Sequence, residues 1–356
     1  MMRLAVTCCC VCLLGCGPEA TRSPRQTIDA AERARLRNDL AIFDGHDGTR
    51  LTWAQLLDAA ADAEAVIVGE EHDDAVGHAV QLALVEDIFD RWDGCALCME
   101  MLDRGEQATV DDYVADIIDR ETFIERTAST RWRKISREYL EREINRRDFE
   151  KRIRKIGWPD WEGNYQPIID AAKEHSGTVV AANTPWMRYA SLANKKGYEH
   201  LSGLTPSQRV LFEIPHAIPE GKYRERFWEV IADRKEGEAP PTDDESDESS
   251  EAAHPSVSDE TVLGMFRAQL VMDATMAASI AAALHNGAVK VVHLVGQFHS
   301  DFEGGLIQEL RHRRPGVQLL TISMQNRSAD TLGEEDRGRA DIVIYTQRPE
   351  TLPRGE

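Results

Sequence analysis

Short apolar runs rich in β-branched residues, each halting at a polar turn that opens a helical pattern, constrain this chain more than any other feature. Ala65-Val66-Ile67-Val68 runs into Gly69-Glu70-Glu71-His72-Asp73-Asp74 and then a helical pattern over about 76–91. Residues 96–99 deliver Glu100, and residues 178–182 deliver Asn183 and Thr184-Pro185. Residues 289–295 deliver Gly296-Gln297-Phe298-His299, followed by Gly304-Gly305 and a helix through about 314. Two more strands, 317–324 and 342–345, close the series, and 30–40 is expected as a short helix. Strands that are apolar throughout are covered on both faces, and their alternation with helices specifies an α/β fold with a mainly parallel central sheet covered by helices.

The segments between these elements organise the rest. Residues 111–156 are charged and helical in pattern, with Trp132, Ile135, Tyr139 and Ile144 scattered through them, and are expected as a helical subdomain inserted near the strand ends. Residues 236–253 contain Pro240-Pro241, and eight acids with no base lie between Glu236 and Glu251. Such a stretch cannot bury enough apolar area to offset its ordering entropy, so a disordered acidic loop is expected. After it, Ser258 caps a long helix reaching about residue 284. The formal net charge is −20, which repels phosphates and argues against a nucleic-acid partner. The sign is uneven: residues 131–155 hold eleven Lys or Arg against five Asp or Glu, which reads first as a solvated helix face.

The N-terminus reads as an export signal. Arg3 precedes an apolar stretch over 4–14 that is too short to span a bilayer and ends in Leu13-Leu14-Gly15-Cys16. The expected division is a lipoprotein signal peptide over 1–15, an acylated Cys16, a polar tether over 16–29 with Pro18 and Pro24, and an α/β domain over 30–350. Acylation would place the chain on a lipid bilayer. Gly17, where an Asp would disfavour outer-membrane sorting, points to the outer membrane facing the periplasm. Cys8, Cys9, Cys10 and Cys12 leave with the signal. Cys95 and Cys98 remain in an apolar run, where positions i and i+3 of a strand face opposite ways, so they are expected as buried thiols.

One local shape occurs twice: apolar strand, Gly, two residues, His. It delivers His72 and His299 beyond strand ends, where α/β sheets bind ligands. Glu70, Glu71, Asp73 and Asp74 surround the first, and His78 and Gln81 share a helix face that can point back to it. Imidazole with carboxylate suits zinc or another divalent ion, with Glu70, His72 and His299 as the expected ligands. No HExxH or HxH spacing is present, and loop-capping histidines are the structural alternative. Gln269 and Asp273 stand four apart on one face of the long helix. A buried Asp needs a partner, so Asp273 is a candidate to orient a site histidine. There is no P-loop, dinucleotide fingerprint or Gly-x-Ser-x-Gly elbow.

With Val66 to Asp73, His78, Gln81, Met99-Glu100-Met101, Asn183-Thr184-Pro185, Arg267 to Ala277 and Val292 to His299 in this order, the chain resembles the ChaN-like haem-binding lipoproteins from about residue 40 to 345. The resemblance implies a haem held in a groove, in a homodimer where two subunits share it, for iron acquisition or storage. It assigns cofactor contacts to His78, Glu100, Asn183, Arg188, His254, Gln269 and Asp273. The wider superfamily, which includes erythromycin esterase-like enzymes, implies a catalytic centre at Glu70, His72 and His299. Many relatives continue after Asn-Thr-Pro with arginine, whereas this chain has Trp186-Met187-Arg188, which displaces that basic group. The implied axial tyrosine is not assigned to Tyr189, Tyr223 or any other. Three functions follow: a haem-binding lipoprotein, a metal-dependent hydrolase using the paired Gly-x-x-His elements, or a non-catalytic scaffold.

Overall fold

In the computed structural model, residues 30–127, 145, 148, 158, 160–185, 188–237 and 259–347 are described. The expected signal peptide, the tether with Cys16, much of the 111–156 insertion, nearly all of the acidic loop, His254 and the Ser258 cap lie outside them.

The apolar runs become strands β1 (Ala41–Asp44), β2 (Arg50–Leu51), β3 (Ala65–Glu70), β4 (Ala96–Asp103), β5 (Thr178–Asn183), β6 (Val291–Gly296), β7 (Leu319–Gln325) and β8 (Ile342–Tyr345). They form one sheet in the order β2-β1-β8-β7-β3-β6-β4-β5. From β8 to β5 every pairing is parallel, and β1 adds antiparallel to β8 and to β2. Central β3 and β6 are buried at every position, the burial that uniform apolarity predicts. They run in register, with Ala65 opposite Val291 and Glu70 opposite Gly296, so both Gly-x-x-His elements leave the same edge of the sheet.

Helices α1 (Ala30–Asp39), α2 (Trp53–Asp62), α3 (Ala75–Arg91), α4 (Gln107–Val114), α5 (Arg120–Arg126), α6 (Trp161–Asn164) and α7 (Gln166–Glu174) precede β5. After it come α8 (Tyr189–Ser202), α9 (Pro206–Arg209), α10 (Lys222–Gly237), α11 (Asp259–His285), α12 (Gln297–Ser300) and α13 (Gly305–Arg313). Alternation along the strands splits the core in two. Val66, Val68, Leu97, Met99, Val292 and Leu294 pack with α3 and α7 on one face. Ala65, Ile67, Cys98, Val291 and Val295 pack with α11 and α13 on the other. Burying each large aliphatic side chain contributes about 1.5–3 kcal/mol.

Helix α11 is apolar nearly all round because sheet, α8 and α13 surround it, and its burial extends from Val262 to Leu284. A Cβ on Gly264 would stand 2.8 Å from the Asn194 carbonyl oxygen of α8, so glycine sets how closely the two helices approach. Cys95, just before β4, and Cys98 within it are buried free thiols that pack on opposite sides of the sheet. Burial pushes the Cys95 thiol up to about 11 and the Cys98 thiol higher still, so neither is a ready nucleophile.

Candidate functional site

At the carboxyl edge of the sheet the side chains divide by face. Glu70 is the last residue of β3 and its parity turns it toward α3 and α7. Asp74 caps α3 by accepting from the Val76 N–H, which brings the first turns of that helix over the strand end. His78 and Gln81, three residues apart, then reach Glu70 together. Gln81 donates to Glu70 Oε2, His78 Nδ1 lies 3.5 Å from the same oxygen, and Gln81 Oε1 is 3.0 Å from His78 Nδ1. His72 Nδ1 is 2.6 Å from Glu70 Oε1, and the Tyr165 hydroxyl donates to that oxygen at 2.8 Å. Trp158 meets the His72 ring edge-on at 4.9 Å. Burial opposes charge on Glu70, but His78, His72 and Gln81 together hold its carboxyl below the usual range.

Glu100 has the opposite parity on β4 and faces α11. Its Oε2 accepts the Gly296 N–H at 2.6 Å, and its Oε1 lies 3.4 Å from His299 Nε2. On the other side of that ring, His299 Nδ1 is 2.6 Å from Asp273 Oδ1, while the Tyr223 hydroxyl donates to Asp273 Oδ2 at 2.7 Å. Gln269, one helical turn before Asp273, places its amide nitrogen 3.0 Å from His299 Nδ1. Burial disfavours charge on His299, but Glu100 and Asp273 outweigh it and raise the imidazole to about 10. Burial also opposes the Glu100 carboxylate, yet His299, with help from His72 and the Gly296 N–H, draws it down to about 2. Asp273 is held above the usual carboxylate range by burial despite His299, so Glu100 is the carboxylate that carries the negative charge beside the imidazolium.

Below this cluster His293, fully buried on β6, has Nδ1 3.1 Å from the Cys98 carbonyl oxygen, and burial depresses it to about 4. Gly69 explains how the second Gly-x-x-His element comes so close to the first. A Cβ there would stand 2.8 Å from Ser300 Oγ and 3.0 Å from Gln297 Cα, so only glycine lets α12 lie against β3.

The residues expected to act together are therefore grouped as two networks. Glu70, His72, His78 and Gln81 meet on the α3 side. Glu100, Gln269, Asp273 and His299 meet on the α11 side, and Glu100 is the group whose charge responds to both histidines. Asn183 supports the second from the neighbouring strand by donating to the Glu100 carbonyl at 3.1 Å. Arg188 is exposed at the start of α8 over the Tyr189 ring, apart from both networks. Among the described residues, no three His, Cys, Asp or Glu side chains are arranged to hold a metal ion. Glu70 and His72 touch each other, whereas His299 is tied to Asp273 and Glu100. Tyr165 and Tyr223 complete the two carboxylate shells. No spacing in the sequence points to either, because their roles come from segments brought back over the strand ends.

The family model described as "Haem-binding uptake, Tiki superfamily, ChaN" matches residues 56–141 and 135–310, most of the chain. No curated protein matches. A solved structure described as "Cofacial heme binding to ChaN of Campylobacter jejuni" is similar to this chain at 14% identity and a TM-score of 0.54, covering 86% of this chain and 96% of that one. The structure of the type III effector HopBA1 matches at 14% identity and a TM-score of 0.39, covering 82% and 90%.

Proposed function

The chain belongs to the ChaN haem-binding uptake family of the Tiki superfamily, and on that premise we propose that it is an extracytoplasmic haem-binding protein serving iron acquisition or storage. The observation that carries this reading is the reach of the family model, which takes in β3, β4, β5, β6 and the helices that pack on them. The N-terminal sequence supports a lipoprotein tethered through an acylated Cys16, with the outer membrane, periplasmic face, as its address. None of the described helices is long and apolar enough to cross a membrane, so attachment would rest on that anchor. Sharing of haem between two copies belongs to the same proposal.

A haem site needs an accessible axial donor, an apolar surface and cations for the propionates. The strand-end histidines do not fit that need. His72 and His78 are 3% exposed and His299 is 0% exposed, and each is already held by a carboxylate or amide. Haem is therefore assigned to another surface of the chain. Chain expressed with its own signal and extracted in detergent should carry haem by the pyridine haemochrome assay after supplementation with haem, and mass spectrometry should find acylated Cys16. Haem-free chain under those conditions contradicts the first claim, and an unmodified Cys16 contradicts the second.

One observation favours a second activity at the strand ends. His299 between Asp273 and Glu100, and His72 on Glu70, are imidazole–carboxylate pairs of the kind that move protons in hydrolysis. In that reading Glu70 orients His72 as base and Asp273 orients His299. Turnover of ester or amide substrates should then disappear in His72→Gln with the fold retained, and turnover unchanged in that variant removes the reading.

A further inference from the structure

Each edge strand of a sheet carries backbone N–H and C=O groups that the sheet itself leaves unpaired. At one edge, β2 spans only Arg50–Leu51 and carries a charge, so it offers little to an added strand. The other edge is β5, which bonds to β4 alone. Its sequence, Thr178-Val179-Val180-Ala181-Ala182-Asn183, holds neither the charge nor the proline that usually blunts an edge. Short uncharged segments of this kind pair readily with copies of themselves.

A single side chain occupies that edge. Gln107, the first residue of α4, donates from Nε2 to the Val179 carbonyl at 3.0 Å and accepts the Ala181 N–H on Oε1 at 2.7 Å. These two groups flank Val180, and a residue of an added parallel strand would bond the same pair, donating to the first and accepting from the second. The carboxamide thus stands in for one peptide unit of a further strand. Its orientation is forced, because the Val179 carbonyl only accepts and the Ala181 N–H only donates. Gln107 Nε2 also donates to Asp111 Oδ1 at 2.8 Å, one turn along α4, which holds the side chain in place.

The approach of α4 to the strand is equally fixed. Asp103, at the end of β4, accepts the Gly105 N–H at 2.8 Å, and Glu106 Oε2 accepts the Asp103 N–H at 2.8 Å. This capping box sets where α4 begins beside β5. Val110, on the first turn of α4, is buried with Val179 and Ala181 in the core on the α3 side. Both outward residues of β5 therefore lose a group that an added strand, parallel or antiparallel, would need.

We propose that Gln107 keeps the edge of β5 closed to a second copy of this chain. Two copies would otherwise meet there about a two-fold axis, each strand offering the same groups to the other. The inference is independent of haem, and its test uses haem-free full chain in detergent. Gln107→Leu keeps the volume and loses both bonds. Gln107→Glu still accepts from Ala181 but has no donor for Val179. Hydrogen exchange of the peptide covering 177–184 is followed by mass spectrometry at low and high chain concentration, with sedimentation velocity alongside. The parent chain should show slow exchange and one association state at both concentrations. Gln107→Leu should exchange at least tenfold faster at low concentration, then regain protection as a dimer at high concentration. Unchanged exchange in Gln107→Leu overturns the proposal. So does fast exchange without association, or association that leaves 177–184 exchanging fast. Should Gln107→Leu misfold by circular dichroism, Gln107→Glu is held to the same outcomes.

Discussion

Replacing His299 with Gln removes the cation from a buried cluster while keeping volume and hydrogen-bonding capacity. At an effective dielectric of ~20, an imidazolium 2.6 Å from Asp273 and 3.4 Å from Glu100 gains about 6 and 5 kcal/mol from two ionised partners. Both are upper values, since burial favours the protonated form of Asp273 and desolvation takes back most of the attraction. Removing one member of such a buried set nevertheless costs about 3–5 kcal/mol, because the remaining charge is left uncompensated. Urea unfolding at pH 7 should therefore show a loss of about 3–5 kcal/mol. The pH profile separates charge from packing. In the parent chain the imidazolium contribution is complete below its unfolded-state value near 6.5 and fades as pH rises through about 10. The Glu100 contribution is present above its unfolded-state value near 4.5 and is lost as pH falls through about 2. In the variant the acids lose their cation and take up protons at higher pH. The gap between the proteins should thus be widest near pH 7–9 and narrow toward both pH 5 and pH 10.5. A gap below 1 kcal/mol, or one flat across that range, would mean that His299 carries no buried charge balanced by Glu100 and Asp273.

Three further outcomes follow. His293 is depressed to about 4 while the unfolded chain protonates near 6.5, so acidification between those values should cost up to about 3 kcal/mol, and His293→Leu should flatten that part of the stability profile. An unchanged acid limb removes His293 as its source. Gly305→Ala should disrupt the α11 cluster, since a Cβ there would overlap the Asp273 carboxylate and the Tyr223 ring. The measurement is its urea midpoint beside that of Gly203→Ala, whose added Cβ meets nothing nearer than 3.6 Å, and equal midpoints would contradict the packing. Peptide mapping after treatment with a thiol reagent should find Cys95 and Cys98 unlabelled until denaturant is added, and native labelling would contradict their burial.

The parallel core was legible because β3, β4, β5 and β6 are uniformly apolar and each ends in a polar turn. Much of what covers or edges that core was not. β1 and β2 span four and two residues, too few to show a period. Helix α8 contains Gly197 at φ 74°, which interrupts the pattern that would reveal a helix. At the strand ends, the i, i+3 spacing of His78 and Gln81 and the i, i+4 spacing of Gln269 and Asp273 pointed to shared faces, and both pairs meet histidines there. The division into two networks was hidden, because it depends on the opposite parities of Glu70 and Glu100 on strands with β6 between them. The pairing of Gln107 with the edge of β5 was hidden for a similar reason: Val179 and Ala181 follow it by 72 and 74 positions and meet it only when α4 packs beside the strand.

The most direct test of haem binding is a Soret titration of the full chain with haemin, followed by transfer to apomyoglobin. A specific haem site gives saturation at a fixed ratio of haem to chain and slow, complete transfer to the competitor. A shift that rises without saturation, as for haem adsorbed on detergent, would contradict it.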